Sequence, residues 1–233
     1  MRIAILTLIA FCRIPDFLTA QSPAIQFGLS VMTGYSTVDY HNKNRPEVEE
    51  AINLTKTWRY APGITFSARK DFGSLIGLEV GGGVSLTGDR IKKFVLTNAT
   101  PEKPEPVRVG EAWGQNHYLD LIIPVSVRIR PVERFYIKAG LSPALSLMRW
   151  KTIRIDYDSG EKFRDSEKVT DGTGFNFHPF NLRADLGCGY YVSASPGIYI
   201  EPLFSFTLFP VYEDDGMGQG QVLLGGVNVG MDF

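Results

Sequence analysis

The sequence predicts an all-β chain: an eight-stranded antiparallel up-and-down transmembrane β-barrel with long extracellular loops and short periplasmic turns. Three observations predict it. Apolar residues recur at every second position along eight segments, the period of a strand with one greasy and one polar face. The connections between those segments alternate short and long, as they do when the two ends of a barrel face different solvents. The polar faces carry charges of both signs interleaved with glycine and serine, which suits the crowded inside of a narrow cylinder better than a face turned to bulk water.

The chain opens with an export segment, expected over 1–20. Arg2 supplies the positive end, Ile3 to Phe11 the apolar core and Leu18-Thr19-Ala20 a small-residue cleavage site before Gln21. Phe11 is too bulky for the residue preceding a lipidated cysteine, so Cys12 is expected to leave with the signal. Cys188 then stands alone in the barrel domain, 21–233, and no intrachain disulfide forms.

Strand one sets Ile25, Phe27, Leu29 and Val31 against Gln26, Gly28 and Ser30. Strand two sets Trp58, Tyr60, Ile64, Phe66 and Ala68 against Arg59, Thr65, Ser67 and Arg69, and strand three sets Ile76, Leu78, Val80, Val84 and Leu86 against Glu79, Ser85 and Thr87. Gly81-Gly82-Gly83 interrupts strand three. With no helix or Lys after it, it is no phosphate cradle, and a sharp bend of the wall is expected there. Strand four alternates without a fault from Leu119 to Ile129, with Asp120 and Arg128 on its polar face. Strands five to eight follow over Phe135 to Leu147, Phe180 to Tyr190, Ile198 to Leu208 and Leu223 to Phe233; their polar faces hold Tyr136, Lys138, Arg183, Asp185, Tyr199, Glu201, Asn228 and Asp232. Short turns are expected at 71–74, 131–134 and 193–197, and polar loops at 41–56, 92–112, 152–174 and 213–220.

Composition removes several competitors. The 233 residues hold 24 basic and 25 acidic side chains, a formal net charge of −1, whereas a nucleic-acid binder needs a dense cationic surface. Two cysteines cannot build a disulfide scaffold or a cysteine-rich zinc site. Beyond the N-terminus no stretch reaches the roughly 18 apolar residues of a membrane-spanning helix.

An apolar face on an antiparallel sheet also fits a soluble cup, so its direction has to be argued. Arg59, Arg69, Glu79, Asp120, Arg128, Lys138, Arg183, Asp185 and Glu201 are mixed in sign and spaced by small residues. They are expected to point inward and pair as a lumenal ion network. Trp58, Trp113 and Trp150 fall where strands meet long loops, while Phe72, Phe135, Tyr190, Tyr191, Tyr199 and Phe233 fall near the short turns. Two aromatic belts around an aliphatic band are what two membrane interfaces select.

The run from His117 to Val125, then Phe135-Tyr136-Ile137-Lys138-Ala139-Gly140-Leu141, resembles the outer-membrane β-barrel (PorT-like) family of Bacteroidota. Leu186-Gly187-Cys188-Gly189-Tyr190, Tyr199-Ile200-Glu201-Pro202 and Gly230-Met231-Asp232-Phe233 extend the resemblance over nearly all of the mature chain. It implies fold and outer-membrane location rather than activity; one branch of the family serves type IX protein secretion. It also implies that Val229, Met231 and Phe233 form the terminal signal read by the barrel-assembly machinery, although Asn228 and Gly230 depart from the usual residues between them.

Small barrels can be enzymes, so the three histidines matter. His41, His117 and His178 lack the His-x-Ser spacing of the deacylases, and balanced Arg and Lys make ion-paired plugging a better reading of the carboxylates than acid catalysis. Glu213-Asp214-Asp215 lacks the alternate-oxygen spacing of a calcium loop. No catalytic, cofactor or metal residue is therefore assigned. The expected protein is a plugged outer-membrane barrel, not an enzyme. Lipid, the assembly machinery and an envelope protein complex are its expected partners, and its loops serve surface interaction, envelope integrity or docking to a secretion complex. The competing readings are a lipid-modifying or proteolytic outer-membrane enzyme and a soluble periplasmic ligand-binding barrel.

Overall fold

Strands that alternate in this way satisfy their backbones only by pairing edge to edge, and here the pairing closes on itself. The computed structural model describes residues 25–42, 44–100, 103–169, 175–193, 197–214 and 218–233; the expected export segment and Cys12 lie outside them. Strand β1 (Gln26–Asn42) is followed by helix α1 (Pro46–Thr55), the two-residue strands β2 (Lys56–Thr57) and β3 (Arg59–Tyr60), and β4 (Gly63–Phe72). Then come β5 (Ile76–Thr100), β6 (Lys103–Ile122), β7 (Val125–Val132), β8 (Phe135–Tyr157) and β9 (Lys162–Lys168). The chain ends with β10 (Phe175–Phe177), β11 (Phe180–Tyr191), β12 (Gly197–Thr207), β13 (Tyr212–Asp214) and β14 (Gly218–Asp232).

Each of β1, β4, β5, β8, β11, β12 and β14 pairs antiparallel with its ring neighbours, and β6 continued by β7 fills the place between β5 and β8. With β6 and β7 taken as one strand, the ring has eight. It closes along β1 and β14, in unbroken register from Gly28↔Asp232 to Asn42↔Gly218.

The apolar residues face out. Ile137, Leu141, Leu145 and Leu147 on β8 are 46–52% exposed, whereas Arg128 is 2% and Glu201 0% exposed. The soluble cup would need the reverse. The outward band runs on β5 from Ile76 to Leu86, and on the β6–β7 strand from Leu119 to Ile129.

Four expectations need correction. The wall is not irregular within β5 at Gly81 to Gly83, because β4 and β5 pair in register from Gly63↔Ser85 to Phe72↔Ile76. The break lies opposite, between β6 and β7, where Pro124 has no N–H to donate; there the Gly81 N–H donates to the Pro124 carbonyl at 2.8 Å. A Cβ on Gly81 would stand 3.1 Å from the Pro124 ring, so the glycine makes room for the proline.

The second and third corrections concern the expected loops at 92–112 and 152–174, which are largely strand. β5 and β6 pair up to Thr100↔Lys103 with three register shifts, and β8 pairs β9 from Trp150↔Lys168 to Asp156↔Lys162. Above the barrel both faces of a strand meet water, so Phe94 and Val95 are both exposed and the period of two that marks a half-buried strand is lost. The fourth is the 41–56 loop, which contains α1. Pro46 lies in its first turn together with Glu47 and Glu49, which complement the helix dipole.

Glycine decides the packing of the seam. Gly34 faces Gly226, and a side chain at 34 would meet the Gly225 carbonyl oxygen at 2.5 Å and the Gly226 Cα at 2.7 Å, whereas nothing lies within 4 Å of a Cβ on Gly225. Gly34→Val is expected to lower stability by about 1–3 kcal/mol through overpacking, and Gly225→Ala to stay within about 0.5 kcal/mol. Urea titration of the barrel folded into lipid vesicles checks both.

Candidate functional site: a plugged lumen below an open mouth

Inward positions of neighbouring strands converge on one ion cluster in the lower half of the lumen. Arg69 of β4 pairs with Asp232 at 2.6 Å and with Asp71 at 3.3 Å, and its guanidinium also donates to Tyr191 and Gln26. Arg128 of β7 pairs with Glu79, lies 4.0 Å from Glu201 and 3.9 Å from Asp232, and donates to the Tyr191 hydroxyl at 3.0 Å. Its guanidinium sits over the rings of Tyr136 and Tyr199, at 4.4 and 5.3 Å. Lys138 reaches Glu201 at 2.6 Å and Glu79 at 3.6 Å. Glu201 also accepts from the Tyr136 hydroxyl at 2.7 Å and the Asn228 amide at 2.8 Å. Arg69, Arg128, Lys138 and Arg130, which pairs with Asp71 at 3.1 Å, thus face Glu79, Glu201, Asp232 and Asp71. This even balance, with hydrogen bonds from Tyr136 and Asn228 on Glu201 and from Tyr191 on Asp232, is what offsets the cost of removing ions from water.

The other expected lumenal residues form separate contacts higher up. Arg183 pairs with Asp120 and donates to Ser85 at 3.3 Å, while Asp185 accepts from Ser142. Arg59 donates to the Thr87 carbonyl at 3.0 Å rather than to a carboxylate.

Tyr191 and Tyr199 need correction, because both were expected in the outer belt. They are buried inside and pack with Tyr136 into an aromatic floor. Strand parity already pointed inward for Tyr199, two residues before Glu201. Asp232 and Asn228 also lay on a polar face, but the sequence reading did not connect them to Arg69 or Glu201, because partners on β4 and β14, or β12 and β14, meet only through the ring.

Above the ions the lumen turns apolar. Val38, Tyr40, Tyr118, Tyr212 and Val222 form a buried cluster, and Val48 and Ile52 of α1 pack against it. Between floor and cap the described residues leave cavities of about 60 and 10 Å³. Outside the cap lies a cavity of about 460 Å³ whose lining includes Lys56, Asp89, Asn116, His117, Arg149 and Trp150. His117 stacks on Trp150 at 4.6 Å with the planes 4° apart. Burial, helped by the Arg59 charge, holds the His117 imidazole down at about 4, so it is neutral at neutral pH. Burial also lowers the Lys56 ammonium, against the pull of Asp89 and Asp39.

The remaining sequence-selected residues separate. Trp58 is exposed at the outer rim; Trp150 is half-buried beside His117; Trp113 lies four residues further along β6, under Lys93 at 4.9 Å. Val229, Met231 and Phe233 point outward at the other end, where the Phe233 N–H donates to the Phe27 carbonyl at 2.8 Å. His41 stands beside Asp39 and Glu49, His178 near Glu213, and none of these three contacts includes His117. Among the described residues, no three His, Cys, Asp or Glu side chains gather to hold a metal ion.

No family model matches the chain, and no curated protein matches it in sequence. Among solved structures, the attachment invasion locus protein Ail of Yersinia pestis, in complex with the heparin analogue sucrose octasulfate, is similar over 88% of this chain and 98% of its own, with 10% identity and a TM-score of 0.37. Neisserial surface protein A is similar over 92% of this chain and 100% of its own, with 7% identity and a TM-score of 0.36. The outer membrane protease OmpT of Escherichia coli is similar over 94% and 99%, with 11% identity and a TM-score of 0.42. The assignment itself rests on the closed ring and its apolar exterior. Together they make the chain an outer-membrane β-barrel, since lipid tolerates no open sheet edge and no other solvent suits that surface.

Arg128 holds the cluster together, so Arg128→Met is expected to destabilise the folded barrel by about 3–5 kcal/mol, leaving buried carboxylates short of a partner. Adding Glu79→Gln should recover part of the loss. Urea unfolding of the single and double variants in lipid vesicles measures it.

Proposed function

We propose that this protein is a non-conducting outer-membrane barrel that works through its outer mouth and protruding hairpins, as a surface-binding or docking element of the envelope. The observation that supports this most is the contrast along the axis: about 60 and 10 Å³ of space within the lumen, against about 460 Å³ above the cap. A solute path would need continuous space. Here the aromatic floor, the ion cluster and the apolar cap lie in a ring whose interior is just wide enough for side chains.

The proposal extends to lipid and the barrel-assembly machinery as partners, with Val229, Met231 and Phe233 as the terminal assembly signal. An enzymatic role finds little support. His117 Nε2 lies 3.4 Å from the Thr152 hydroxyl, yet its buried Nδ1 meets no carboxylate among the described residues, so nothing orients the ring as a base.

In planar bilayers the refolded protein is expected to give no steady conductance steps in salt. Large, long-lived steps would contradict the plugged lumen.

A further inference from the structure

The cavity at the outer mouth contains polar atoms that the barrel leaves unpartnered. Asp89 of β5 lies three residues above Leu86, the top of the apolar band on that strand, and is 1% exposed. One of its carboxylate oxygens accepts the Asn116 amide at 2.8 Å; the other, Oδ2, has no hydrogen-bond partner, and neither has the buried Nδ1 of His117 in the adjoining position on β6. A buried carboxylate oxygen without a donor is uncommon, and its persistence asks for an explanation. Both residues line the cavity.

The rest of the lining restricts what fits. The stacked His117–Trp150 pair presents a flat apolar wall, faced by Tyr212 and Phe177, which pack edge to face at 5.7 Å. Lys56, Arg149, Lys151 and Lys168 also line the cavity, against two carboxylates, Asp89 and Glu167. This cationic excess disfavours an amine. A simple inorganic anion would satisfy the cations but would make no use of the flat wall. A ring that donates hydroxyls at one end, lays a C–H face on aromatic side chains and carries an acidic group toward the lysines satisfies all three conditions. The volume suits such a molecule, since small-molecule sites run from roughly 300 to 1,000 Å³.

We infer that the outer mouth is a binding site for an acidic saccharide, with Asp89 and Asn116 meeting its hydroxyls, Trp150 on His117 stacking against its face, and Lys151 with its neighbours holding its carboxylate or phosphate. This deepens the surface-binding reading by naming the ligand class. It does not depend on whether the lumen conducts, so the bilayer recording tests that reading separately.

The test is equilibrium titration of the full barrel in detergent micelles, followed by tryptophan fluorescence, with glucuronic acid, glucose, inorganic phosphate and methylammonium as separate probes. Saturable binding of glucuronic acid, at least tenfold tighter than that of glucose or phosphate, is expected. Asp89→Asn and Lys151→Gln should each weaken it about tenfold while the heat-dependent shift in gel migration, which reports folding, is retained. Competition by purified lipopolysaccharide would assign the sugar to the protein's own membrane, and lack of competition would assign it to an external glycan; both support the site. Equal binding of phosphate, preferred binding of methylammonium, no saturable binding of glucuronic acid, or unchanged affinity in both folded variants would overturn it.

Discussion

A backbone placed in hydrocarbon has no hydrogen-bond partner except itself, and the seam between β1 and β14 is where this chain meets that constraint. Until Gly28 to Asn42 pair with Asp232 to Gly218, two strands expose unpaired N–H and C=O groups to lipid. Once they pair, no edge remains within the membrane. Closing with eight strands also settles the interior, because a ring of that size leaves room for side chains and little else. The small residues at the seam, Gly34 against Gly226, belong to the same constraint, since the backbones must approach closely where the ring shuts.

Closure then dictates the chemistry of the lumen. Side chains turned inward are removed from bulk water, so their charges have to balance locally. The chain meets this with Arg69, Arg128, Lys138 and Arg130 against Glu79, Glu201, Asp232 and Asp71, and tyrosine hydroxyls and Asn228 add hydrogen bonds to Glu201 and Asp232. The aromatic floor beneath and the apolar cap above shield these ions from both aqueous phases. The outer mouth departs from this pattern. There Asp89 and His117 line a cavity of about 460 Å³, and that open space, against about 60 Å³ beside the ion cluster, separates a binding site from a plug.

The sequence was legible wherever one face of a strand met lipid and the other the lumen. From Leu119 to Ile129 the period of two gave face and direction together, and it survived the break at Pro124 because the register on either side was kept. It placed Arg59, Arg69, Glu79, Asp120, Arg128, Lys138, Arg183, Asp185 and Glu201 on inward positions. It did not show which of them meet, since pairing across the lumen depends on tilt and ring order. It failed above the membrane, where Phe94 and Val95 both see water and the strand loses its alternation. Tyr191 was misplaced for a related reason: near a turn, membership of an aromatic belt and strand parity pointed in opposite directions, and parity prevailed. The outer cavity was not legible at all, because Lys56, Asp89, His117 and Trp150 come from different strands and share no motif.

The most direct test of the account is a nitroxide scan of residues 137–147 on β8, in liposomes, with Cys188 replaced. The account predicts a period of two: lipid-dissolved oxygen should broaden the spectra most at 137, 139, 141, 145 and 147, and least at 138, 142, 144 and 146. A reversed pattern, or none, would contradict it.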